Sequence, residues 1–157
     1  MFLNRQSSTE RVIAHQAPPA LLLLRIAVAF VFVTEGIQKF LYPDALGVGR
    51  FIKIGIPYPE ISAPFLGGVE IVGGALVLFG LYTRLAAFAL VIDMVVAITA
   101  TKVPILLGYG FWGFAAATGK TGFWPAAHEA RLDLMLLAGC LLLLAIGPGK
   151  ASFDQRR

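Results

Sequence analysis

The chain has 157 residues, of which 58% are apolar and only 14% charged, with a mean hydropathy of +0.80 and a formal net charge of +4. Those proportions exceed what a water-soluble surface allows, so they exclude an ordinary soluble domain and point to a protein of the lipid bilayer. The length admits one domain of about four spans, at about 20 apolar residues each, with no room for a second.

A polar N-terminal tail, residues 1–19, holds Arg5 and Arg11 and ends on Pro18-Pro19, a pair suited to opening a helix. The first predicted span follows from Ala20 to Leu41. It is too long for a secretory leader, and Glu35 to Lys39 stands where a small-residue cleavage site would be needed. A second span is predicted from Ile61 to Leu81, after the turn-rich Pro57 to Glu60, and a third from Leu85 to Thr101. Only Tyr82-Thr83-Arg84 separates these two, which predicts an antiparallel hairpin. The fourth apolar run, Leu132 to Ile146, is short for a span and is expected to begin upstream near Ala126, drawing Arg131 and Asp133 into the helix. Gly147 to Gly149 closes it. The expected fold is an all-α integral membrane four-helix bundle over residues 20–149, between the tails 1–19 and 150–157.

Lys and Arg outside the spans set the expected orientation. One side holds Arg5, Arg11, Arg84, Lys150, Arg156 and Arg157, the other Arg50, Lys53, Lys102 and Lys120. The larger count places both termini in the cytoplasm.

Charges inside the spans are costly and face the bundle interior, where function is expected. The first span ends on VTEGIQKF, Val33 to Phe40, with Glu35, Gln38 and Lys39; the others within the spans are Arg25, Glu70, Asp93, Arg131 and Asp133. At about 1.5 Å per residue, Glu70 and Asp93 fall near the midplane and differ in depth by only about 4 to 5 Å. Glu35, Lys39, Arg131 and Asp133 fall in the outer half, and Arg25 on the inner side. Two bare carboxylates so close repel, so the pair calls for a proton or for a cation from Lys39, Arg25 or Arg131. Glu35 and Lys39 are also an i, i+4 pair in the favourable order. Asp93 lies on a small-residue stripe with Ala86, Ala89, Ala97 and Ala100, and Glu70 shares a face with Gly67 and Gly74, the kind of surface on which membrane helices approach closely. Two readings stay open: an ion-pair network that fixes helix register, and a proton path or polar pocket for a small headgroup such as a quinone.

Cys140 stands alone in the fourth run, so neither an intramolecular disulfide nor a C-x-x-C pair is available. His15 and His128 have no helical partner histidine, and no self-contained haem or metal centre is expected. No P-loop or nucleophile-elbow motif occurs, and no nucleic-acid partner is expected. Residues 45–59 mix Arg50 and Lys53 with Phe51, Ile52, Ile54 and Ile56, as an interfacial segment does. The aromatic segment Gly108 to Glu129 reads as an interfacial belt, with a lid over the polar cluster or a docking surface as the alternatives.

Taken together, LLLLRIAVAFVFVTEGIQKF (Leu21 to Phe40), IGIPYP (Ile54 to Pro59), GGVEIVGGALVLFGLYTRLAA (Gly67 to Ala87), Asp93-Met94 and GPGKASFD (Gly147 to Asp154) resemble the DoxX family of small four-helix membrane proteins. The positions matching its polar motif are Arg25, Gln38, Lys39, Glu70, Arg84 and Asp93. Glu35 stands where members often carry His. The resemblance implies a bacterial or archaeal inner membrane and an accessory role in a quinone-linked oxidoreductase, with quinone as the possible cofactor and other membrane or peripheral subunits as partners. A small transporter or proton-conducting bundle using Glu35, Glu70 and Asp93, or a purely structural subunit, are the alternatives.

Overall fold

The structure, a computed structural model, describes residues 20–149 and 151–154. The tail 1–19 with its arginines, His15 and prolines, and Lys150, Arg156 and Arg157 lie outside the described residues. The described residues are all-helical, without a strand; Phe111 and Phe114 form an isolated bridge. The helices are α1 (Ala20–Leu41), α2 (Val48–Ile54), α3 (Pro59–Phe79), α4 (Thr83–Ala97), α5 (Val103–Leu107) and α6 (Phe123–Ile146), with a π-helical turn, Ile98–Lys102, joining α4 to α5.

Three helical segments are long and apolar enough to cross a membrane: Leu21–Leu41, Pro59–Phe79 and Thr83–Leu107. The sequence predicts four. The difference lies in α6, which has 24 residues but carries Glu129, Arg131 and Asp133 in its first half, leaving only residues 134–146 free of charge.

Helix ends follow local chemistry. Pro59 opens α3 at its first turn, where a missing N–H costs nothing. Gly80, at φ +67°, closes it in the left-handed conformation. The third apolar segment runs beyond Thr101 because the chain widens into the π turn and resumes. Pro104 lacks the N–H that Ala100 would accept from, and the turn before it absorbs the mismatch: the Val103 N–H donates to the Ile98 carbonyl, five residues back.

The predicted hairpin partners, α3 and α4, do touch, but each packs more extensively elsewhere, α3 on α1 and α4 on α6. Small residues decide this. A Cβ at Gly36 would lie 2.6 Å from the Gly67 carbonyl oxygen, and one at Gly74 would meet Val33 and Ala29, so the α3 glycines let α1 approach. Gly73 alone of this group faces α4, against Leu90.

The Gly80 end of the bundle is fastened by Arg25. Its Nε donates to the Val77 carbonyl at 2.8 Å, Nη2 to Leu78 at 2.5 Å, and Nη1 to Ala151 at 2.6 Å and Pro148 at 3.2 Å. The first two carbonyls belong to the C-terminal turn of α3, where backbone acceptors run out of partners and a cation is favoured. Asp154 completes the clasp by accepting from the Tyr82 and Thr83 N–H groups and the Thr83 hydroxyl, capping α4 from a distance.

Candidate functional site

The other half of the bundle contains a cavity of about 180 Å³ between α1, α3, α4 and α6, covered by α2. Glu35 and Lys39 reach its wall from α1, Glu70 from α3, Asp93 from α4 and Asp133 from α6, while Lys102 comes from the π turn and Arg50 from α2. Phe32, Phe51, Met94 and Leu136 supply apolar surface between them. Such a mixture, apolar walls with a few convergent polar groups, is typical of a small-molecule site.

Lys39 is the base that completes the Glu70–Asp93 pair. Its ammonium donates to both Glu70 oxygens, at 2.6 and 2.8 Å, with Glu70 only 4% exposed. It turns across to α3 instead of pairing with Glu35 one turn back on its own helix, which has no ion-pair partner among the described residues. Lys102 meets Asp133 at 3.4 Å. Asp93 is different. It is 2% exposed, lies within electrostatic reach of Lys39, and receives no hydrogen bond from any donor of the described residues; its near neighbour is the Glu70 carboxyl, with which it can share a hydrogen bond only when one of the two carries a proton. A buried carboxylate left without a partner costs several kcal/mol, roughly, so the cavity needs a proton, water or a ligand at that position.

Five of the nine residues singled out by sequence therefore meet at one cavity: Glu35, Lys39, Glu70, Asp93 and Asp133. The other four do not. Arg25 is buried but fastens carbonyls at the opposite end, because a guanidinium with five donors suits a ring of carbonyls as well as it suits an acid. Arg84 is exposed at that same end, with one long contact to the Ala145 carbonyl at 3.4 Å. Arg131 lies exposed on α6 against the His128 ring, one helical turn away. Gln38 is half-buried on α1 and is not on the cavity wall.

Sequence reasoning missed Arg50, Lys102 and the covering helix. Residues 45–59 do fold into a short amphipathic helix, α2, but its Phe51 is buried and roofs the cavity. The aromatic segment contributes no wall to this cavity: Trp112 and Trp124 are 85% and 79% exposed, and Trp124 with residues 115–120 borders a neighbouring, wider space instead. Within the described residues, no group of three or more His, Cys, Asp or Glu side chains is placed to hold a metal ion.

The DoxX family model matches residues 20–103. The chain is 50% identical, over 95% of its length and 88% of the relative's, to Rv3486, a membrane protein of Mycobacterium tuberculosis. It is 31% identical over 88% of its length and 91% of the relative's to YphA, an inner membrane protein of Escherichia coli. A shorter match, 32% identical over 52% of this chain and 58% of the relative, is to CatD of Bacillus subtilis, whose name proposes an oxidoreductase. No solved structure matches.

Proposed function

This chain belongs to the DoxX family of membrane proteins, and from that premise we propose that it is an accessory membrane subunit of a quinone-linked oxidoreductase, with its charged cavity receiving the quinone headgroup. The observation that carries this reading is Asp93, a buried carboxyl to which no group donates, on the wall of a cavity that sets aromatic and aliphatic surfaces among a few charged groups. A quinone presents carbonyl acceptors and its reduced form hydroxyl donors. A carboxyl group serves both, donating when protonated and accepting when ionised. Lys39 and Glu70 hold the neighbouring charge fixed, and Phe32, Phe51 and Met94 suit a flat ring. The volume, about 180 Å³, accommodates a headgroup and not a whole long-tailed molecule.

The reading includes four spans, with α6 as the fourth. Its 24 residues reach about 36 Å, enough to cross, and Asp133 turns inward to Lys102. The Gly80 end is placed in the cytoplasm on the Lys and Arg balance, and the membrane is a bacterial or archaeal inner membrane, as the name of the Escherichia coli relative states for that protein. With one Cys and two His in the sequence, the redox centres belong to partner subunits in this scheme.

Purification from native membranes in mild detergent tests the assignment. The expected result is a stable complex with at least one cofactor-bearing subunit, together with bound quinone. A lone homo-oligomer that passes protons when placed in vesicles would replace this reading with a transporter.

A further inference from the structure

Beyond the identity of the ligand, the two ends of the cavity are built differently. Beside it lies a second, wider space of about 790 Å³, and the two share Arg50, Ile54, Ala100, Thr101 and Lys102 as a common wall. The wider space is bordered by residues 115–120 and by Lys53, Lys120, His128 and Glu129, groups that prefer water. The π turn forms much of the partition. By holding one extra residue in a turn, it rotates the downstream helix by about 100° relative to a straight one, and Lys102 at its end borders both spaces. Lys102 also pairs with Asp133 at this boundary.

The opposite end is sealed. Beneath Phe32, Met94 and Leu136, a layer of Val77, Leu90, Cys140 and Leu143 is packed to zero exposure. Arg25 and its four carbonyls lie below that. The buried Asp93, which no donor serves, therefore has a partition with polar residues and a wider space in one direction and a packed hydrocarbon wall in the other.

We propose that the Asp93 cavity is open to water through the space beneath residues 115–120 and closed toward the Gly80 end, so that protons and small polar molecules reach Asp93 from one face of the membrane only. A proton taken up or released at the site is exchanged with that face. The inference stands on two adjacent spaces parted only by a wall of five shared residues, three of them polar, and on the sealed layer at the other end, and it holds whether or not the ligand is a quinone.

Cysteine accessibility in vesicles of known orientation tests it. In a Cys140→Ala background, Ala116→Cys marks the wide space and Ala97→Cys the inner cavity, with a charged, membrane-impermeant methanethiosulfonate as the probe. Ala97→Cys is expected to react from the face that labels Ala116→Cys and from no other. Reaction from the opposite face, from both faces, or from neither would overturn the proposal. If Ala97→Cys fails to fold, as judged by gel filtration, Val31→Cys, which lines the inner cavity and not the wide space, is read by the same criteria.

Discussion

Lys39→Met lowers the stability of the protein by about 3–5 kcal/mol, because it leaves the Glu70 carboxylate buried without its cation. The lysine and glutamate side chains are 11% and 5% exposed, so water cannot take the place of the missing partner without opening the α1–α3 contact. That contact is the most extensive in the bundle and rests on backbone approach at Gly36 and Gly67, which leaves little room to relax. Glu70→Gln is expected to cost a similar amount by stranding the ammonium. The double variant Lys39→Met/Glu70→Gln recovers most of the loss, since a neutral amide beside an apolar side chain leaves no buried charge unpaired. Thermal unfolding of the four proteins in one detergent measures this cycle. Single variants as stable as the parent would show that the pair is not holding α1 to α3.

The second large effect is at the other end. Arg25→Met strands the half-buried carbonyls of Leu78, Pro148 and Ala151 and leaves Val77 with only the Gly80 N–H as donor, in a region where Arg25 is 1% exposed. At about 1–3 kcal/mol for each acceptor left unsatisfied, the expected loss is about 3 kcal/mol. Arg25→Lys restores only part of it, because three donors on one nitrogen cannot serve carbonyls spread around a planar fork. Arg25 and Lys39 are 14 residues apart on α1, about 21 Å, so their effects are expected to add. Unfolding of Arg25→Met and of the Arg25→Met/Lys39→Met pair checks both statements. A parent-like midpoint for Arg25→Met would remove the clasp from the account.

Much of this was legible in the sequence because membrane insertion makes depth countable. The rise per residue places Glu70 and Asp93 at one level, and the small residues around them mark faces that meet other helices. The same counting leaves Lys39, Arg25 and Arg131 open as the base, and only the structure selects Lys39. Arg25 is harder, since a lone arginine in a span invites a search for an acid, whereas the structure satisfies it with carbonyls of α3 and of the segment after Gly147. Helix pairing is also poorly encoded in loop length. The short Gly80 to Tyr82 connection forces α3 and α4 to be neighbours, yet the glycines of α3 give the closer approach to α1. Arg131 and Asp133 differ by two positions on α6, which puts them on different faces: Asp133 turns in toward Lys102 and Arg131 out toward His128. The π turn has a local cause in Pro104, but proline far more often ends a helix than widens one, so its outcome had to be seen.

Asp93→Asn separates architecture from function. No donor of the described residues serves Asp93, and a neutral amide there can itself donate to the neighbouring Glu70 carboxylate, so the isosteric change is expected to leave the midpoint of unfolding unchanged or raise it, in contrast to Glu70→Gln. Binding of a photoreactive quinone analogue is then the most direct measurement. Parent protein is expected to crosslink within the segments carrying Phe51 or Asp93, and Asp93→Asn to bind about 10-fold more weakly, the difference between a hydrogen bond to a charged group and one to a neutral amide. An Asp93→Asn protein that binds the analogue as tightly as the parent, or crosslinks confined to the sealed Gly80 end, would contradict the account.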